Sequence, residues 1–275
     1  MSSSWRCISC VVVVAVLGAS NVEARDRADR PPAKLDPEGF TLAFHDDFDT
    51  LSVTKDGGAG PWFAPVHYTF GAARLVPPGP TGPFSAANGE LTIRASTDGK
   101  AWTSGTMQTV DSHGRGFSQR YGYFEMRARL PTGPATWPAF WLLTLNNVTE
   151  SGTTRGEIDA VEAYGDQPRV LHHGLHLTPG KQKRWHFSKQ VKVPNADLAE
   201  YHTYGVMVTP TWVAFYFDRE QTYEFPALPE YGQPLYMLVD LAMTKASLGR
   251  AQNPSLMTID YVRAYALPPA LIGDR

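Results

Sequence analysis

Short apolar and aromatic runs, most of them alternating with polar residues, recur along the chain from about residue 40 between turn-forming stretches. They read "TLAFHDDF", "GELTIRAS", "SGTMQTV", "YGYFEMRARL", "AFWLLTL", "GEIDAVEAY", "VLHHGLHL", "HTYGVMVT", "WVAFYFD", "PLYMLVDLAM" and "TIDYVRAYAL". Successive side chains leave a pleated strand on opposite sides, so a period of two marks a strand with one face buried. Roughly eleven strands are predicted in this way, against one short helical candidate, "NADLAEY". Many strands without helices between them describe a sandwich or jelly roll, two antiparallel sheets face to face with one outer face able to become concave. In "YGYFEMRARL", Phe124, Met126, Ala128 and Leu130 form the core face, while Tyr121, Tyr123, Glu125, Arg127 and Arg129 look toward solvent or ligand.

Composition agrees with this pattern. Among 275 residues there are 24 glycines and 22 prolines, and 43% are hydrophobic, which suits a turn-rich β domain with a sizeable core. Nothing in the formal net charge of -2 suggests a nucleic-acid footprint. One basic run, with Lys181, Lys183, Arg184, Lys189 and Lys192, reads as a solvated loop or as a contact for an anionic ligand. Residues 1–24 read as a secretory signal whose apolar run, "CISCVVVVAVLGA", is too short to span a bilayer. Its Cys7 and Cys10 are the only cysteines, so the mature chain has neither a disulfide nor a thiol nucleophile. A polar lead-in at 25–35, one domain over 36–267 and a tail at 268–275 complete the expected organisation. A secreted or periplasmic monomer without a nucleic-acid or membrane partner is expected.

The chemistry concentrates in "RGEIDAVEAYGD", where Glu157, Asp159 and Glu162 stand among Ile158, Ala160 and Val161. On a regular strand Glu157, Asp159 and Val161 would share one face and Glu162 would lie on the other. Such acids can be a solubilising surface, but like charges at neighbouring positions repel, and the flanks here are apolar. A one-residue β-bulge at Ala160–Val161 removes the conflict, because two residues then fill the place of one and Glu162 returns to the face of Glu157. The two glutamates would then stand about four pleated steps apart, roughly 13 Å. Side chains leaning together by ~3.5–4 Å each bring the carboxyls to about 5–6 Å, near the ~5–5.5 Å of retaining glycosidases and short of the ~6.5–9.5 Å of inverting ones.

"GEIDAVE" resembles the bulged E-I-D-x-x-E signature of glycoside hydrolase family 16. The stretches "SGTMQT", "YGYFEMRARLPTGPATWPAFWLL", "YHTYGVMVTPTWVAFYFD" and "MTIDYVRAY" are similar to that family's other blocks in the same order, from about Phe44 to Tyr265. The resemblance implies an all-β, concanavalin-like β-jelly roll with a concave substrate cleft, acting on β-linked glucans or galactans. Glu157 would be the nucleophile and Glu162 the general acid and then base, its pKa raised by the other carboxylates. Asp159 would hydrogen-bond and orient the nucleophile.

Further expectations follow from the same resemblance. Trp141 matches the family's platform tryptophan, and Trp137 shares its face by period two; Trp62, Tyr68 and Trp102 are weaker aromatic candidates. In "HHGLH", His172 and His176 would lie about 13 Å apart on a strand, too far for one zinc ion. His176 instead matches a family histidine near the leaving-group side. No cofactor is required for the chemistry, but a structural calcium held by Asp47, Gly89 and Asp260 is implied. Where family members carry Asn-x-Ala-x-Gly-Gly, this chain has "VDLAMTKASLG", with Asp240 at the Asn position, which leaves one end of the cleft open to interpretation. A secreted endo-β-glucanase for 1,3 or mixed 1,3-1,4 linkages is the leading expectation. A galactan- or agarose-cleaving enzyme, a transglycosylase and a lectin-like binding module on the same fold are the alternatives.

Overall fold

A computed structural model describes residues 30–65, 70–179 and 184–272. The expected signal segment, Tyr68, Lys181 and Lys183 lie outside those residues. The first half of the chain forms β1 (Thr41–Asp46), β2 (Val53–Lys55), β3 (Trp62–Ala64), β4 (Arg74–Leu75), β5 (Phe84–Ala87), β6 (Glu90–Thr97), β7 (Trp102–Ser104), β8 (Thr106–Gln108) and β9 (Gly122–Arg129). The second half forms β10 (Thr136–Thr144), β11 (Arg155–Ala163), β12 (Val170–Thr178), β13 (Trp185–Lys192), β14 (His202–Val208), β15 (Trp212–Phe217), β16 (Glu220–Pro226), β17 (Leu235–Met243) and β18 (Ser255–Ala266).

Two sheets stack on one another. A ten-stranded sheet runs β16-β15-β14-β9-β18-β6-β7-β4, with β1 on β18 and β5 on β6; an eight-stranded sheet runs β13-β12-β11-β10-β17-β8-β3-β2. The expectation of purely antiparallel sheets needs correction, because β2 pairs with β3, and β4 with β7, in parallel. These strands are two or three residues long, and the chain returns to them by an excursion rather than a tight hairpin.

The core lies between the sheets. Phe124, Met126 and Ala128 of β9 face Phe140 and Leu142 of β10 and Met237, Val239 and Leu241 of β17 across it. Fully burying a side chain of this size contributes about 1.5–3 kcal/mol. The strand β17 is buried throughout, because its second face, Tyr236, Leu238 and Asp240, lies under the cleft rather than in solvent.

"NADLAEY" forms turns, not a helix. Seven residues have little helical stability of their own, and Leu198, 1% exposed, anchors the segment in the core. The basic run is likewise not a loop beyond Arg184: it forms edge strand β13, because Phe187 packs on Tyr223 and Phe225 at ring-centroid distances of 5.6 and 4.8 Å.

The outer face of β9 points away from the cleft, so its polar set does not meet ligand there. Tyr123 and Glu125 are fully buried, covered by chain ends expected to be a lead-in and a tail. Leu35, Leu267 and Leu271 pack against Tyr123, Tyr216 and Tyr265. The segment before β1 also lies along β16, with Leu35 N–H donating to the Arg219 carbonyl at 2.8 Å and Gln221 N–H to the Ala33 carbonyl at 2.7 Å. Beneath it, Glu125 accepts from both Nε and Nη2 of Arg219 at 2.9 Å and from the hydroxyls of Tyr123 at 2.6 Å and Tyr261 at 2.9 Å. Arg219 sits in a two-residue hairpin turn with φ of 63° beside Asp218 at 50°, a left-handed conformation ordinarily given to Asn or Gly. The ion pair holds it there.

Replacing Arg219 with Met is expected to leave the Glu125 charge buried and unpaired, lowering the unfolding free energy by about 3–5 kcal/mol. Urea unfolding of the variant beside Glu125→Gln/Arg219→Met checks this, since the double change should recover part of the loss.

Candidate active site

The cleft lies on the outer face of the eight-stranded sheet. It encloses about 480 Å³, and its floor is made by the side chains that β10, β11, β12 and β17 turn away from the core. On β10 these are Trp137, Ala139, Trp141 and Leu143, which alternate with the core residues Phe140 and Leu142.

On β11 the alternation is broken once. Against β10, Phe140 pairs with Val161 and Trp141 with Asp159, leaving Ala160 without a partner. Against β12, Glu162 pairs with His172 and Asp159 with Gly174, so Ala160 and Val161 face the single residue His173. The bulge expected at Ala160–Val161 is therefore present. Ile158, Ala160 and Val161 lie in the core, and Glu157, Asp159 and Glu162 line the cleft.

Each acid has its own neighbourhood. Glu157 Oε1 accepts from Arg184 Nη2 at 3.2 Å, with His176 Nε2 3.7 Å away. Asp159 Oδ2 accepts from His176 Nε2 at 2.9 Å. His176 thus stands between Glu157 and Asp159, where a direct Asp159–Glu157 hydrogen bond was expected, and it is Glu157, not Glu162, that it neighbours across the strands. Glu162 Oε1 accepts from Trp137 Nε1 at 2.8 Å and from the Tyr164 hydroxyl at 3.3 Å. Room for Asp159 comes from Gly174: a Cβ there would lie 2.0 Å from Asp159 Oδ2 and 3.0 Å from His176 Nε2.

Burial dominates the electrostatics. Burial, then the Asp159 charge, raises Glu157 to about 7, and the same two causes raise Glu162 to about 7. Burial also carries Asp159 to about 7. Three like charges at such separations, out of water, repel strongly. The cluster therefore holds fewer charges than carboxyls at neutral pH. Its members are not equivalent, because Glu157 faces the Arg184 guanidinium whereas Glu162 faces only an indole N–H and a phenol. Burial pushes His176 down, so the ring that donates to Asp159 is the neutral Nε2–H tautomer.

Aromatic rings line the wall. Trp137 stacks on Tyr164 at 5.6 Å and 27°, and Phe70 meets Trp137 and Trp141 edge-on at 5.9 and 6.1 Å. Trp141 Nε1 donates to Asp240 Oδ1 at 2.8 Å. Asp240 is fully buried and raised to about 8 by that burial, so the acid at the Asn position is a neutral acceptor under the platform ring.

Trp62 is not part of this surface. It is fully buried between Phe44 and Phe48, with Nε1 donating to Asp46 Oδ2 at 3.0 Å. Its large apolar ring serves the core. Trp102 also packs against the core rather than the cleft. In the calcium set, Asp47 and Gly89 are neighbours, an added Cβ on Gly89 falling 3.7 Å from the Asp47 carbonyl oxygen. However, the Asp47 carboxylate is bound by Arg263 at 2.8 Å, and Asp260 is paired with Arg127. With a guanidinium on each acid, the side chains do not form a dication cage. Glu157, Asp159 and His176 do place ligand-type atoms within 4.8 Å of one another, but Arg184 beside Glu157 opposes a cation there. Sequence reasoning missed Arg184, Phe70 and Tyr164 as cleft residues. The basic run and the "EAYGD" stretch were the available signals for Arg184 and Tyr164.

A β-sandwich whose concave face sets buried carboxyls between indole rings is the architecture of a glycan-cleaving jelly roll. The chain belongs to glycosyl hydrolases family 16, whose profile matches residues 81–263. It is 33% identical to the endo-1,3-1,4-beta-glycanase EglC of Rhizobium meliloti (strain 1021) over 85% of this chain and 53% of that protein, so it spans about half of that relative's length. It is 28% identical to a beta-glucanase of Rhodothermus marinus over 92% of each chain. Among solved structures, a mutant of SCLam, a non-specific endo-beta-1,3(4)-glucanase presenting a 1,3-beta-D-cellobiosyl-glucose at its active site, shares the fold with a TM-score of 0.69, at 21% identity over 86% of this chain and 98% of that one.

Two predictions follow from the crowding of the acids. Gly174→Ala is expected to displace the Asp159 carboxyl and lower turnover by about 100-fold, the scale of a misplacement near 1 Å, with near-UV circular dichroism unchanged. Asp159, raised when folded, costs the native state more at pH 8, where it is ionised, than at pH 5, where it keeps its proton. Asp159→Asn should therefore raise the melting temperature, and by more at pH 8 than at pH 5 in differential scanning fluorimetry.

Proposed function

We propose that this chain is a secreted endo-β-glycosidase that hydrolyses internal β-1,3 or mixed β-1,3-1,4 linkages of a glucan or bacterial exopolysaccharide with retention of configuration. The observation that carries the reading is the asymmetry of the two glutamates across one bulged strand. Arg184 favours the ionised form of Glu157, the state a nucleophile needs. With both carboxyls raised to about 7, the cation beside Glu157 alone biases the shared proton toward Glu162, the state an acid needs.

In the first step a Glu157 oxygen bonds to the anomeric carbon while the bond from that carbon to the leaving oxygen breaks. Glu162 gives its proton to the leaving oxygen, which departs as a sugar hydroxyl. Both donors to Glu162 converge on Oε1, so Oε2 is the oxygen that carries the proton. In the second step Glu162, now a carboxylate, takes a proton from water. The resulting oxygen attacks the same carbon and releases Glu157. Two inversions amount to retention. Trp141 and Trp137 offer flat apolar faces for the C–H side of sugar rings, and the hydrogen bond to Asp240 orients the Trp141 ring.

The named activities of the relatives, on 1,3-1,4-β-glycans and β-glucans, support this polymer class over agarose. Incubation with laminarin, lichenan, agarose and a succinylated bacterial glucan, followed by product sizing, tests it. Shortened oligomers from laminarin or lichenan are expected, and cleavage of none would favour a lectin-like module. Glu157→Ala is expected to lose more than about 100-fold in rate. On an activated aryl β-glycoside, azide should restore turnover to that variant and yield the inverted glycosyl azide. Activity within about tenfold of the unaltered protein would remove Glu157 from this role.

A further inference from the structure

We infer that His173 is a positioning residue that locks the bulge of β11 in register, and through it sets where the Glu162 carboxyl stands relative to Glu157. The inference rests on the roles proposed above for those two glutamates.

His173 is the one residue of β12 that faces the two bulged positions, Ala160 and Val161. A bulge leaves its extra residue outside the ladder, and here that residue is buried, Ala160 being 1% exposed. A buried main-chain carbonyl needs a donor. The Ala160 carbonyl has one: His173 Nδ1 lies 2.7 Å away. A carbonyl can only accept, so the ring proton sits on Nδ1; Nε2 lies 2.9 Å from the Thr222 hydroxyl, whose one proton it shares with the Phe215 carbonyl 3.0 Å away. The ring also lies flat on Phe215, at 4.5 Å and 17°. Phe215 and Thr222 belong to β15 and β16 of the other sheet. The imidazole is thus held at both nitrogens and on one face, and it ties the extra residue of the acidic strand to the opposite layer of the sandwich.

Register is what this contact controls. With the extra residue at 160–161, Ala160 and Val161 both enter the core and all three acids share the cleft. A bulge one position earlier would turn Ala160 into the cleft, and one position later Val161. Without a bulge Glu162 would enter the core. The donor on His173 reaches only the Ala160 carbonyl, which selects one of these arrangements. Among the described residues no hydrogen bond or ring contact joins His173 to a cleft side chain, so its effect on chemistry passes through the backbone to Glu162.

Leaving-group dependence separates this role from a merely structural one. A glucan's sugar alkoxide needs the Glu162 proton, whereas dinitrophenolate departs without it. For His173→Leu, kcat/KM for glucan hydrolysis is expected to fall about 100-fold, while kcat/KM for dinitrophenol release from the matching aryl β-glycoside, which reports only the first step, falls less than about threefold. His173→Asn, whose amide N–H can stand near the Nδ1 position, should recover glucan hydrolysis to within about tenfold of the unaltered protein. Thr222→Val, which takes the hydroxyl from Nε2 and from the Phe215 carbonyl but leaves the Nδ1 contact, should show the same selectivity at smaller amplitude, and it decides the matter if His173→Leu does not fold. In the unaltered protein, nitrogen-15 NMR of the His173 ring should show the Nδ1-protonated tautomer.

Equal losses on both substrates, no loss on either, no recovery in His173→Asn, or an Nε2-protonated ring would each overturn the inference. Glu162→Gln run in parallel keeps the two readings apart. If it leaves glucan hydrolysis intact, the assignment of Glu162 fails. If it shows the split between substrates and the His173 and Thr222 variants do not, only the role of His173 fails.

Discussion

One extra residue in β11 decides what the cleft contains. Pleating sends alternate side chains to opposite faces, so acids at 157, 159 and 162 cannot share a face on a regular strand. The bulge at Ala160–Val161 changes that parity once, and it does so where the residues sent inward are small or branched and apolar. The core keeps a continuous lining while the cleft gains its third carboxyl. Gly174 on one side of the strand, and Trp137 and Trp141 on the other, are arranged around the outcome.

Crowding carboxyls in a poorly hydrated groove works against folding, and the rest of the sandwich must offset it. The largely apolar inner faces of the two sheets supply that margin, away from the cleft. Function and stability are thus drawn from different faces of the same two sheets. Partners of the acids are neutral except for Arg184, which is half exposed and screened by solvent, so its influence is a bias between carboxyls rather than a strong clamp.

Much of this was legible in the chain itself. The period-two runs marked the faces of β9 and β10, and the phase conflict at Glu162 pointed to the bulge before any coordinates. What escaped were relationships between segments distant in sequence. Arg184 lies 27 residues from Glu157, and nothing local says that β13 brings it alongside. Trp62 looked like a loop aromatic because a three-residue strand leaves almost no periodic trace. "NADLAEY" has helical composition, yet Leu198 is drawn into the core and the segment turns around it. Residues 30–35 are polar enough to read as a linker, and the burial of Pro31 and Leu35 among them follows from the sheet edge the segment lies against, which composition does not reveal.

That edge has a consequence for life in a crowded medium. Every open sheet ends in unpaired main-chain groups, a template on which a second molecule can stack. On the ten-stranded sheet the chain's own 33–35 segment occupies the template beside β16. On the eight-stranded sheet β13 has no further strand beside it among the described residues, but it carries Lys189 and Lys192, so addition of a second β13 would bring like charges together. Of these two borders, one is capped by the molecule itself and the other repels its own kind.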